Sequence, residues 1–212
     1  MIQLPESTYI GKKIPKEGFY NYLELKTDIK RAFVEDIDHI LWRNILSAST
    51  LNVGAGEKVN QIDIIQITLK RNEFNYSILE VIEKAIPRHL IFLLKYDDLF
   101  QLVVNFKDEY QKAKFRIIDT FKTHWLPEQD IPLGIQGLNI DQVYENIVFG
   151  IAGQKFEKVE GIDLKSVVQK NQEVEKLKKK IAELENKLRN EKQFNIQLKI
   201  YSEIKVLKKS IK

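Results

Sequence analysis

The sequence predicts an α/β (α+β) chain, a mixed sheet of about four strands with packed helices, followed by a long C-terminal coiled-coil helix. Three observations carry that expectation. Val59, Ile62, Ile64, Ile65, Ile67 and Leu69 form a β-branched run that reads as a strand. Leu90 to Leu94 is apolar without a polar break, as in a strand covered on both faces, and the helical period of Ile78, Leu79, Ile82 and Ala85 lies between the two. Val174, Leu177, Ile181, Leu184 and Leu188 alternate at spacings of three and four, the a/d seam of a helix that packs on another helix.

In chain order, an arm punctuated by Pro5, Gly11, Pro15 and Gly18 carries Tyr9, Phe19, Tyr20 and Tyr22 as aromatic anchors and is expected to drape over the core. Thr27 or Asp28 then caps a helix whose buried face is Ile29, Phe33, Ile37, Ile40, Leu41 and Ile45, widened by Trp42. Ser47 to Asn60, with Gly54 and Gly56, breaks that helix and leads into the first strand. A short helix from about Tyr76 to Ile86 stops at Pro87. The strand His89 to Lys95 follows, and Tyr96, Asp97 and Asp98 supply a tight turn. The runs Leu99 to Phe106 and Lys114 to Thr123 complete the sheet. Pro127, Pro132, Gly134 and Gly137 mark an irregular crossing, and a helix opened by Asp141 after Asn139 buries Val143, Tyr144, Ile147, Val148 and Ile151 until Gly150 and Gly153 end it.

These boundaries give a domain over 1–153, a linker over 154–161 and a C-terminal coiled-coil helix over 162–212. A single helix from Leu164 to Ile211 would be roughly 70 Å long at 1.5 Å per residue, more than a domain of this size covers. Association is therefore the expected activity, as a homo-dimer or as one helix of a larger complex. The heptad does not run through: continuing from Leu188 puts Asn195 and Ser202 at a positions, while the apolar residues are Phe194, Leu198, Tyr201, Ile204, Leu207 and Ile211. A bend that folds the last segment back would also satisfy this shift. Asn190 permits a turn, but no Gly or Pro marks one, so a continuous helix is expected.

Composition excludes several chemistries. The chain has no cysteine, so disulfides, thiolate zinc sites, iron–sulfur clusters and a cysteine nucleophile are all ruled out. No apolar run approaches the ~18 residues of a spanning helix, and no leader pattern opens the chain, so a soluble cytoplasmic protein is expected. The charge is uneven: Asp163 to Lys212 holds fourteen Lys and Arg against seven Asp and Glu. Lys178, Lys179 and Lys180 could contact a polyanion, but they also lie where a two-helix seam has its solvated flanks. Lys12, Lys13 and Lys16 interleave with the arm's aromatics, a mixture that can stack bases and hold phosphates, or merely anchor the arm to its own domain.

Landmarks over nearly the whole chain carry a family resemblance. The segments Leu4-Pro5-Glu6-Ser7-Thr8 and Ile14-Pro15-Lys16, the run Ile40-Leu41-Trp42-Arg43 with Leu46 and Ser47, the run Ile86 to Phe92, and Glu191-Lys192-Gln193-Phe194-Asn195 resemble the bacterial family known as domain of unknown function 4391. The resemblance implies a context, an accessory component encoded among helicases and methyltransferases of restriction-like or phage-defence clusters, and supplies no catalytic residue. The stretch Ile196 to Tyr201 is more apolar than that family's pattern.

No reaction motif accompanies it. Glu24-Leu25-Lys26 fits the short half of a metal-dependent nuclease pattern, but no strand with an acid precedes it, and Asp63 and Lys70 lie seven apart on one strand. A nuclease, or another DNA-processing enzyme, is the alternative to an assembly subunit. His39, His89 and His124 lack partners at metal-ligand spacings, and His39 is expected to bond Asp36 locally. Gly54-Ala55-Gly56 matches neither a dinucleotide fingerprint nor a P-loop. No catalytic residue, metal or cofactor is expected.

Overall fold

The computed structural model describes residues 4–22, 25–111, 114–153 and 164–210. The chain divides into two compact units, Met1–Lys155 and Phe156–Lys212. In the first, β1 (Tyr9–Ile14), α1 (Glu17–Tyr22), α2 (Thr27–Glu35), β2 (Ile37–Ser47) and the single turn α3 (Ala48–Leu51) precede β3 (Gln61–Leu69). There follow α4 (Ser77–Ala85), β4 (His89–Tyr96), β5 (Leu99–Gln111), β6 (Lys114–Lys122), the short β7 (Leu126–Pro127) and α5 (Ile140–Ala152). The strands make one seven-stranded sheet in the order β1-β2-β3-β4-β5-β6, with β7 paired to β5. The sheet is mixed: β3 and β4 are parallel, and the other pairs are antiparallel. It is larger than the four strands read from the sequence, because β1, β2 and the short β7 come from segments read as an arm, a helix and an irregular crossing.

The sheet is covered on both faces. Ile65, Ile67, Leu69, Leu90, Phe92 and Leu94 join Phe33 of α2 and Ile78, Leu79 and Ile82 of α4 in one buried cluster. Ile62, Ile64, Ile91 and Leu93 alternate with them along β3 and β4, so they face the opposite side, and they are equally buried. Helix α5 packs against β5 and β6 with Val143, Ile147, Val148 and Ile151 turned inward. The continuous apolar character of β4 follows from this two-sided burial.

The helix expected from Thr27 to Ile45 stops at Glu35, and its second half is strand β2. The reason lies in two register shifts, between Ile37 and His39 and between Trp42 and Asn44. The bulges break the period of two, and the buried Ile37, Ile40 and Asn44 fall at spacings of three and four, as on a helix, before Leu46 follows at two. Asp36, 2% exposed, marks the break. Its carboxylate accepts the Arg71 Nε–H at 2.8 Å, a second bond from the same guanidinium, and the Asn75 backbone N–H at 3.3 Å. His39 accordingly bonds Asp38 and Thr68 rather than Asp36.

The N-terminal segment is built in, not draped. Ser7 donates to the Thr50 carbonyl at 2.8 Å, Thr8 donates to the Pro5 carbonyl at 2.6 Å, and the buried Asn44 amide donates to Thr8 Oγ1 at 2.8 Å. Lys12 stands opposite Trp42, and Ile14 opposite Ile40, on the edge strand β1. Phe19 is buried and stacks on Phe33 at 5.7 Å, a core residue of the domain.

Gly54 and Gly56 serve the entry to α5. The Gly54 N–H donates to the Leu138 carbonyl at 2.8 Å, and the Ile140 N–H donates to the Gly54 carbonyl at 3.1 Å. Asp141 accepts the backbone N–H groups of Glu57, Lys58 and Val59. A Cβ on Gly56 would stand 2.4 Å from both the Val59 carbonyl oxygen and Asp141 Oδ1, so only glycine fits this approach. Asn139 caps α5 by accepting the Gln142 N–H at 2.9 Å. The helix runs through Gly150 and ends at Gly153, whose φ is 59°.

One buried ion pair crosses the core. Lys107 of β5 bonds both Glu83 of α4 and the Arg88 carbonyl, and each charged side chain is 3% exposed. Burial pushes the Glu83 carboxyl up to about 7 from its ordinary 4.5, against the pull of the Lys107 ammonium. The folded state therefore holds the Glu83 proton more tightly than the unfolded chain does. Its contribution to stability is full below about pH 4.5 and is lost as pH rises through about 7.

Urea unfolding at about pH 5 and about pH 8.5 should show the chain losing on the order of 1–3 kcal/mol with rising pH relative to a Glu83→Gln/Lys107→Met variant; equal pH dependence would contradict the assignment. Gly56→Ala should lower stability by roughly 1–3 kcal/mol through the backbone clash, measured as a lower urea midpoint with an unchanged slope.

Candidate functional site

The second unit holds the seam. Helix α6 (Leu164–Asn190) is the long C-terminal helix, and a separate α7 (Phe194–Ser210) follows it after three residues. The continuous helix from Leu164 to Ile211 is thus corrected to a helical hairpin. The break needs neither Gly nor Pro. The Glu191 carboxylate accepts the N–H groups of Lys192 and Gln193 at 2.8 and 2.9 Å, and the Gln193 carbonyl accepts the first α7 bonds from Ile196 and Gln197. The Gln197 side chain closes the turn by donating to the Glu191 carbonyl at 2.8 Å. Side-chain bonds satisfy the loose backbone groups that a glycine turn would otherwise relieve.

Within the hairpin Ile181 and Ile204 are buried, at 7% and 5% exposure. Val174, Leu177, Leu184 and Leu188 are half-buried, as are Gln197, Ile200 and Leu207 of α7. The short connection makes the helices antiparallel, which brings Leu188, Leu184, Ile181 and Leu177 level with Gln197, Ile200, Ile204 and Leu207. The seam found in the sequence therefore meets its facing helix in the same chain. Lys180 pairs with Glu203 at 2.9 Å and Lys208 with Glu185 at 2.8 Å. Lys208 holds the Glu185 carboxyl below the usual carboxylate range through that hydrogen bond and its charge. These pairs are solvent-exposed and set register more than stability; burial of the apolar seam is the larger contribution.

The hairpin does not cover all its apolar surface. Phe194, Leu198 and Tyr201, at positions i, i+4 and i+7 of α7, are 69%, 52% and 60% exposed. They form one stripe, turned about 110° from the inward face at 100° per residue. Beside it, Tyr201, Ile204, Lys205, Lys208 and Lys209 line a groove of about 310 Å³.

The basic candidates separate. Lys178 pairs with Glu175 at 2.8 Å, Lys180 pairs across the hairpin, and Lys179 is exposed, so this trio lies on the solvated flank of α6. Lys16 donates to the Ile37 carbonyl at 2.8 Å and anchors the arm. Lys12 and Lys13 are exposed and share a cleft of about 430 Å³ with Trp42, Asp63, Ile65 and Arg88. The Arg88 guanidinium lies 5.6 Å from the Trp42 ring centre and pairs with the buried Asp63 at 3.3 Å. Asp63 also accepts the Gln61 side-chain N–H at 2.5 Å. Trp42 and Arg88 carry no site pattern in the sequence, and Asp63 enters one only with Lys70; strand register and the end of α4 bring all three beside Lys12.

The residues of the nuclease pattern are described only in part. Glu24 lies outside the described residues, as does the linker 154–161. Asp63 is engaged by Arg88 and Gln61, whereas Lys70, beyond the other end of β3, donates to the Val34 carbonyl at 2.9 Å. Among the described residues no three His, Asp or Glu side chains are grouped to hold a metal ion. His89 instead packs edge-on against Tyr144 and Phe115, at 4.8 and 5.9 Å. Among the described residues no helix is long and apolar enough to cross a membrane.

No curated protein and no solved structure matches the chain. A family model described as a domain of unknown function, DUF4391, matches residues 2–211, nearly the whole chain. The segments that carried the resemblance have structural roles: Ser7 and Thr8 tie the N-terminal segment to the rest of the domain, Trp42 and Arg88 meet in one cleft, and Glu191 to Gln193 form the hairpin turn. The chain belongs to the DUF4391 family.

Proposed function

We propose that this protein is a non-catalytic assembly subunit that associates through its C-terminal helical hairpin. The observation that carries this reading is the stripe of Phe194, Leu198 and Tyr201, a large apolar surface on a helix whose other apolar face already meets α6. Apolar residues scattered singly need no explanation, but three on one helical face match a helix-in-groove or helix-bundle contact. Two hairpins related by a two-fold axis would place this stripe against itself, which is the simplest closed arrangement. Full burial of each large side chain contributes about 1.5–3 kcal/mol before the costs of association. The family resemblance supports a context in a bacterial restriction-like or phage-defence system, in which a helicase or methyltransferase subunit would be a further partner.

Light scattering after size-exclusion chromatography is expected to give a dimer for the full chain and a monomer for Leu198→Glu/Tyr201→Glu, with helicity unchanged by circular dichroism. A dimer that survives both substitutions overturns the role of the stripe. Ile181→Glu should act differently, because it places a charge in the hairpin's own seam: helical signal is lost along with association, at a cost of roughly 2–5 kcal/mol. Retained helicity in that variant would contradict the hairpin packing.

A further inference from the structure

We propose that the cleft between β1 and the end of α4 binds a nucleoside phosphate, with the base against Trp42 and Arg88 and the phosphate on Lys12 and Lys13. This site lies wholly within the first unit and is independent of the hairpin.

Register builds the cleft. Lys12 of β1 is the direct cross-strand partner of Trp42 on β2, and Trp42 is the partner of Ile65 on β3, so their side chains stand on one face in a row. The end of α4 and the following turn, Ala85 to Arg88, close the other side. The floor is flat and apolar, formed by Trp42 and Ile65. Arg88 extends it with a planar cation lying over the indole, an arrangement on which heteroaromatic rings stack.

Charge decides which end of the ligand goes where. Among the described residues three cations line the cleft with one carboxylate, Asp63, which is buried and neutralised by Arg88. Arg88 donates to Asp63 through Nη1, and its side chain is 48% exposed, so the guanidinium remains open to a second acceptor. The carbonyl end of α4 carries partial negative charge and disfavours an anion there. The phosphate is therefore placed at the β1 rim, where Lys12 and Lys13 are exposed. Trp42 Nε1 is a buried donor with no partner among the described residues.

A nucleoside phosphate reaches such a cleft as a free mononucleotide or as the phosphorylated end of a nucleic-acid strand. The test is isothermal titration of the full chain with adenosine monophosphate, with a short single-stranded oligonucleotide carrying a 5′-phosphate, and with the same oligonucleotide lacking it. Saturable binding of the mononucleotide supports the free ligand; a preference for the phosphorylated oligonucleotide over both others supports the strand end. Lys12→Glu/Lys13→Glu, two exposed changes, should weaken the supported ligand on the order of tenfold or more with an unchanged circular dichroism spectrum. Trp42→Leu should weaken it as well while leaving a response to inorganic phosphate unchanged. Three results would overturn the proposal: no binding of any of these probes at millimolar concentration, binding indifferent to charge reversal, or inorganic phosphate binding as tightly as the nucleotide.

Discussion

The parallel pairing of β3 with β4 constrains most of the first unit. Parallel neighbours cannot be joined by a tight turn, so the chain must leave the sheet, cross one face as α4 and return. That crossover covers one face of the central strands, and the opposite face, buried just as completely, has α5 packed against the neighbouring β5 and β6. Every residue from Leu90 to Leu94 is buried as a result. The antiparallel strands added on either side, β1 and β2 at one edge and β5 to β7 at the other, extend this core without altering its logic. The cleft at Trp42 arises where α4 ends and the sheet continues beyond it to β1.

Polar groups inside this fold are matched to the points where the chain changes direction. Asp36 joins the end of α2 to the segment after β3 through Arg71 and Asn75. Asp141 gathers three successive backbone N–H groups at the entry to α5, and Asn44 ties β2 to the N-terminal segment. Glu83 and Lys107 link α4 to β5. Among the described residues the buried Asp36, Asp63, Glu83 and Lys107 each have a charged partner, as the desolvation cost of an isolated charge requires. Gly56, which belongs to no nucleotide-loop motif, gives the Asp141 carboxylate room to approach.

The second unit follows different energetics. A pair of antiparallel helices can bury one row of side chains on each, here centred on Ile181 and Ile204, and leaves the flanks of that row half-open. Its exposed ion pairs add little because water screens them. Lys178 and Lys180 of α6 are met by Glu175 and Glu203, whereas Phe194, Leu198 and Tyr201 of α7 stand exposed.

Local chemistry was legible wherever a segment is governed by its own pattern. The β-branched residues of β3, the unbroken apolar β4, the turn at Asp97, the helices α4 and α5 and the seam of α6 could all be read from residue type and spacing, because burial on one or both faces leaves a periodic trace. Strand β2 could not, since two bulges replace the period of two with spacings of three and four that imitate a helix. Strand β1 is short, edge-placed and rich in lysine, which is how edges are protected and also how loops look. The hairpin turn was hidden for a similar reason: Glu191, an ordinary helix former, makes the turn with its side chain. The cleft was legible least of all. Lys12, Trp42, Asp63 and Arg88 span some seventy-six positions of sequence and meet only because antiparallel register and the end of a crossover helix place them side by side. Sequence alone determined which segments are apolar, basic or periodic; only the tertiary structure decided which of them face one another, because pairing between distant strands depends on register, which no local pattern records.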